Sequence, residues 1–133
     1  MSTLRTNALE GVDAKNSITI VAGAGNITTT NVQEGLCKMW ISFDGTGTIA
    51  TKDSLNVTSI TDDSTGNYTI TIDNNMADTN YAAQAGGDQS GGATSTCITA
   101  GVLAVGSHSI ACRQNGTSID IAIVNSSIHG DLA

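Results

Sequence analysis

From residue 37 onward the chain reads as a series of short, two-sided ribbons. Cys37, Met39, Ile41 and Phe43 fall on one face of an extended segment, and Lys38, Trp40 and Ser42 fall on the other. Asp44-Gly45-Thr46-Gly47 turns the chain into residues 48–52, and Leu55, Val57 and Ile60 mark another short strand. A polar turn at residues 62–67 leads into residues 68–73. There Tyr68, Ile70 and Ile72 occupy every second position, the pattern of a half-buried strand. Residues 74–79 read as a loop, 80–85 as a strand, and the glycine-rich residues 86–92 as a second loop. Three more strands are expected at 95–100, 107–114 and 118–125, with Ile119, Ile121 and Ile123 as the core positions of the last. The last two are joined by Asn115-Gly116, a dipeptide suited to the left-handed turn of a tight hairpin. Strand-sized segments without a long helical period predict an all-β fold, an antiparallel β-sandwich or jelly roll.

Residues 1–36 break this pattern. Residues 1–16 hold no sustained period, and Leu4, Ala8, Leu9 and Val12 support at most one or two helical turns. Residues 17–22 read as a short strand closed by Gly23-Ala24-Gly25-Asn26, and residues 27–30 as extended and polar. Such a stretch buries too little apolar surface to fold alone. It is therefore expected to be an extended N-terminal arm lying on neighbouring subunits, ahead of a β domain at 37–133. Leu4, Leu9, Val12, Ile18, Ile20 and Ile27 are the candidate anchors of that arm.

Composition sharpens the expectation. Charged residues make up 13% of the 133 residues and aromatics only 3%, and Thr, Ser, Asn and Gly take their place. Cohesion should then come largely from β ladders and contacts between subunits. The net charge is −7, and the five cations (Arg5, Lys15, Lys38, Lys52 and Arg113) form no cluster, which argues against nucleic acid as a partner. No apolar run approaches the roughly 20 residues a bilayer span requires, so no membrane partner is expected. The start Met1-Ser2-Thr3 lacks the basic and apolar regions of a secretory signal, and synthesis and use without export is expected. Cys37, Cys97 and Cys112 match no metal-knuckle spacing and are expected to be small, buried and reduced. A Cys97–Cys112 bridge between neighbouring strands is geometrically conceivable.

Candidate chemistry is sparse. His108 and His129 are too far apart in sequence to form a local ligand pair; His108 reads as one face of a strand and His129 as a tail residue. Gly23-Ala24-Gly25 is followed by an extended Thr-rich stretch, not by the helix N-terminus a phosphate cradle needs. Asp62, Asp63, Gly66 and Asn67 lack the ligand spacing of a calcium loop and read as a solvated turn. No Gly-x-Ser-x-Gly elbow occurs, and the Asn-x-Ser/Thr triplets at Asn26, Asn56, Asn67, Asn115 and Asn125 carry no meaning without export. The expectation is a protein that is not an enzyme, with no catalytic residue, cofactor or metal.

Several motifs occur in order between residues 33 and 85. They are Gln33-Glu34-Gly35-Leu36-Cys37-Lys38-Met39-Trp40-Ile41-Ser42-Phe43-Asp44-Gly45-Thr46-Gly47-Thr48, then Lys52-Asp53-Ser54-Leu55-Asn56-Val57-Thr58-Ser59-Ile60-Thr61-Asp62, Thr65-Gly66-Asn67-Tyr68-Thr69-Ile70 and Met76-Ala77-Asp78-Thr79-Asn80-Tyr81. Together they resemble a segment recurring in tail-fibre-like proteins of tailed phages, and Ser2-Thr3-Leu4-Arg5-Thr6-Asn7 is similar to the start of short phage structural proteins. The resemblance implies a homotrimeric protein of the virion exterior, made in the host cytoplasm. Because the similar segment begins as early as Gln33, the expected role is capsid decoration (cement), with the arm clamping the major capsid protein or neighbouring virion proteins. The alternative is a tail-fibre tip or small tail protein that binds a host receptor, with residues 86–92 and the Asn115-Gly116 turn as its contacts.

Overall fold

The computed structural model describes residues 19–21, 29–31, 35–88 and 96–133. The chain divides into two compact units, Met1–Leu36 and Cys37–Ala133. In the first, β1 (Thr19–Val21) pairs antiparallel with β2 (Thr29–Asn31). Leu4, Leu9, Val12, Ile18 and Ile27 lie outside the described residues, and Ile20 is the middle residue of β1.

Among its described residues the second unit holds nine strands: β3 (Cys37–Asp44), β4 (Ala50–Leu55), β5 (Val57–Ser64), β6 (Asn67–Ile72), β7 (Ala82–Asp88), β8 (Thr96–Ala104), β9 (Ser107–Gln114), β10 (Thr117–Ser118) and β11 (Ile123–His129). All pairings are antiparallel, as the strand pattern predicts. One sheet has the order β4-β3-β11-β7. In the other, β6 lies between β5 and β9, and β9 is bordered by β8 and β10 as well.

The two sheets share one core. Met39, Ile41, Phe43, Val124 and Ile128 enter it from the first sheet, and Tyr68, Ile70, Ile72, Ile110 and Cys112 from the second. Each fully buried aliphatic side chain contributes about 1.5–3 kcal/mol. With so few aromatics, a single edge-on ring contact, Phe43 against Tyr68 at 5.1 Å and 78°, ties the sheets at one end of the core.

The chain changes sheet at sites fixed by individual polar residues. Between β4 and β5 the single residue Asn56 adopts φ 59°, a left-handed conformation that asparagine tolerates better than most residues. Its amide donates to the carbonyls of Lys38 and Asn74, and its side-chain oxygen accepts from the Asn74 main-chain and side-chain nitrogens. The Asn115-Gly116 hairpin forms as expected, with φ of 49° and 82°.

Leu55, Val57 and Ile60 do not mark one strand, because β4 ends at Leu55 in one sheet and β5 begins at Val57 in the other. Three further sequence expectations are corrected. Residues 118–125 are not one strand: β10 ends at Ser118 in one sheet and β11 begins at Ile123 in the other. Between them the Asp120 carboxylate accepts from Tyr68 Oη (3.0 Å) and Gly66 N (2.7 Å), and the Ile121 carbonyl accepts from Gly45 N (2.9 Å). That crossing shifts the phase of the alternation. Ile121 is buried and Ile119 partly so, but in β11 the inward positions are Val124, Ser126 and Ile128, and Ile123 points outward, 36% exposed. Second, His129 is not a tail residue, because β11 continues to it and runs between β3 and β7. Third, Gly86 and Gly87 belong to β7, not to a loop. A Cβ on Gly87 would collide with the Ile123 carbonyl oxygen, so only glycine permits this strand to approach β11 so closely.

Candidate binding face on the four-stranded sheet

Period-two alternation in β3 sends Met39, Ile41 and Phe43 inward and leaves Trp40 and Ser42 outward. Strand register then builds rows across the outer face. Leu55, Trp40, Ser127 and Gln84 align across β4, β3, β11 and β7, and the next row is Asp53, Ser42, Asn125 and Gly86. Trp40, Ser42, Gln84, Gly86, Asn125 and Ser127 line an open groove of about 570 Å³ over β3, β11 and β7. No charged side chain lines it. Gln84 and Asn125 are exposed, and a Cβ on Gly86 would meet only open space, so the glycine leaves the floor of the groove bare.

Beneath the groove the inner face carries a polar tie between the sheets. His108 on β9, 1% exposed, has Nε2 2.9 Å from Ser126 Oγ on β11. Ser126 Oγ in turn donates to the Gln84 main-chain carbonyl at 2.8 Å. The serine proton is thereby used on Gln84, so Nε2–H donates to Oγ and Nδ1 carries the lone pair. Nδ1 is buried without a partner among the described residues. Burial lowers the imidazole pKa to about 4, which keeps it neutral. The pair is buried and fixes β7 and β11 beneath the groove.

The other thiols and perturbed groups are set by burial and local contacts. Cys112 is a free, buried thiol pushed up to about 11, chiefly by burial, with Asp120 adding and Arg113 opposing. The register sets Ile98 opposite Cys112 and Arg113 opposite Cys97, so the two cysteine positions are offset and not paired. Cys37 is a free, half-buried thiol that donates to the Met39 carbonyl. Tyr68 Oη, raised by burial and by the Asp120 hydrogen bond, also donates to the Gly45 carbonyl. Burial lowers the Lys38 ammonium, and Asp131 partly offsets this. Among the described residues no group of three His, Cys, Asp or Glu side chains converges as a metal site would.

Of the expected receptor contacts, residues 89–92 lie outside the described residues. Asn115-Gly116 ends the β9–β10 hairpin, whereas Gly86 and Gly87 lie within β7. Alternation alone placed Trp40 outward, but its companions Gln84, Asn125 and Ser127 became visible only through register. No helix among the described residues is long and apolar enough to cross a membrane. No family model, curated protein or solved structure matches the chain.

Proposed function

We propose that the chain is a non-enzymatic structural protein of a tailed-phage virion, a trimeric decoration protein with a β-sandwich body. Residues 1–36 act as the arm that bridges major capsid subunits on the head exterior. The observation that carries this reading is apolar surface left outside a body whose core is already filled. Val102 and Val105, at the end of the β8–β9 hairpin, are 79% and 42% exposed, and Leu55 on an outer strand is 48% exposed. Exposed apolar side chains at a hairpin end and on an edge strand suit contacts with further copies and neighbours. The ordered motifs of residues 33–85 and the low charge support the same reading.

The mechanism is mechanical. Each copy adds several modest contacts between capsomers, and linked contacts must break together before the particle yields. Deleting residues 1–16 is expected to abolish capsid occupancy while the body stays folded; normal occupancy of the truncated protein would reject the role. The Val102→Asp, Val105→Asp double variant is expected to sediment as a smaller species than the parent chain. The second reading, a tail-fibre tip that binds a host receptor, is favoured by the open face around Trp40. Antibody labelling of virions separates head from tail.

A further inference from the structure

We propose that the outer face of the four-stranded sheet is a binding site for a neutral saccharide, seated against Trp40 between the side chains of Gln84, Asn125, Ser42 and Ser127. A pyranose ring presents an apolar C–H face and a rim of hydroxyls, each both donor and acceptor. The groove offers the complement of both. Trp40, the chain's single tryptophan, supplies the aromatic surface. Around it stand two carboxamides and two hydroxyls, each able to donate and to accept.

Those carboxamides are not needed by the fold. Among the described residues the Gln84 and Asn125 side chains make no hydrogen bond within the chain, and both are exposed. Gly86 keeps the space beside Asn125 open. The groove crosses two strand spacings, about 10 Å, which accommodates one or two sugar rings. Charge decides the ligand class. An anionic ligand would meet a chain of net charge −7 with no cation in the lining, and a cationic ligand would find no carboxylate in the lining, Asp53 standing beyond Ser42 on β4. The His108–Ser126–Gln84 tie holds the groove floor from below, so the site is built before a ligand arrives.

This inference goes beyond the structural role and is tested independently of it, since particle imaging reads location and saccharide titration reads binding. Trp40 is its own reporter. The full chain is titrated with lactose, maltotetraose, cellotetraose and mannotriose while indole emission is followed, with sialyllactose as the anionic comparator. At least one neutral saccharide is expected to give a saturable change with Kd on the order of 1 mM, and sialyllactose a weaker one. Gly86→Val, whose side chain enters the open groove, is expected to keep the parent unfolding midpoint and to lose affinity at least about tenfold. Gln84→Ala should weaken binding several-fold. No saturable change with any of the four neutral saccharides overturns the proposal, as does undiminished binding by Gly86→Val.

Discussion

Burial of His108 makes the body's stability depend on pH, and the size of the effect follows from its surroundings. Among the described residues its imidazole bonds to Ser126 Oγ alone, and burial lowers its pKa to about 4 in the folded chain by disfavouring the cation. In the unfolded chain a histidine titrates near about 6.5. The folded pKa is the lower one, so the unfolded state binds more protons as pH falls. The contribution is complete above the unfolded pKa, falls from about pH 6.5 downward, and is gone below the folded value. Between about pH 7 and about pH 5 the loss is about 2 kcal/mol. With an m-value near about 2 kcal/mol/M in urea, the unfolding midpoint should drop by about 1 M. Asp44 and Asp78 lose their linked stability below this window. Asp44 is held low by the Thr46 side chain and main chain, and Asp78 by the main chain and side chain of Asn80. Stability linked to them is present above the ordinary carboxylate pKa and is lost only further down. Urea melts of the parent and of His108→Gln at the two pH values make the test, because the amide can still donate to Ser126 but does not titrate. A parent midpoint that does not move, or an equal fall in His108→Gln, refutes the assignment.

Three other predictions follow from local geometry. Asn56→Ala removes the four hydrogen bonds at the β4–β5 corner and leaves alanine in a left-handed conformation, so a destabilisation of about 3 kcal/mol or more is expected in denaturant melts. Asn56→Gly should recover only the backbone part. Adjacent glycines should behave oppositely: Gly87→Ala collides with the Ile123 carbonyl and should unfold or severely weaken the body, whereas Gly86→Ala should stay within about 0.5 kcal/mol of the parent, read by circular dichroism and melting. Cys112 should resist a thiol-titrating disulfide reagent in the native protein at about pH 8 and react once urea is added, and rapid native labelling at that residue would contradict its burial.

The strands most legible in the sequence are those with one apolar and one polar face. β3, β6 and β9 announce themselves through Met39-Ile41-Phe43, Tyr68-Ile70-Ile72 and His108-Ile110-Cys112, all of them buried. Sheet switches are not legible in the same way. Ile119, Ile121 and Ile123 keep a period of two across a crossing that changes the phase, and the cause is tertiary: Asp120 is held by Tyr68 and Gly66, which are distant in sequence. Gly86-Gly87 reads as a loop because glycine weakens strands, yet at Gly87 the missing Cβ is what lets β7 pair with β11. The candidate groove was half visible. Alternation set Trp40 outside, but a lone tryptophan has no companions until register brings Gln84 and Asn125 beside it.

β11 explains how one sheet can serve both structure and recognition. Its inward row is Val124, Ser126 and Ile128, and the middle residue is polar, so the strand gains less from apolar burial than a central strand usually does. Two features offset that. Ladders run along both of its edges, to β3 and to β7, and Ser126 meets His108 from the facing sheet. Stability is thus supplied by the backbone and by one matched polar contact beneath the sheet, neither of which involves the outward side chains. Asn125 and Ser127 on β11, like Gln84 and Gly86 on β7, are therefore free of structural duty, while Ser126 between them is not. A face whose side chains can be exchanged without loosening the sheet is one on which binding specificity can vary while the fold stays the same.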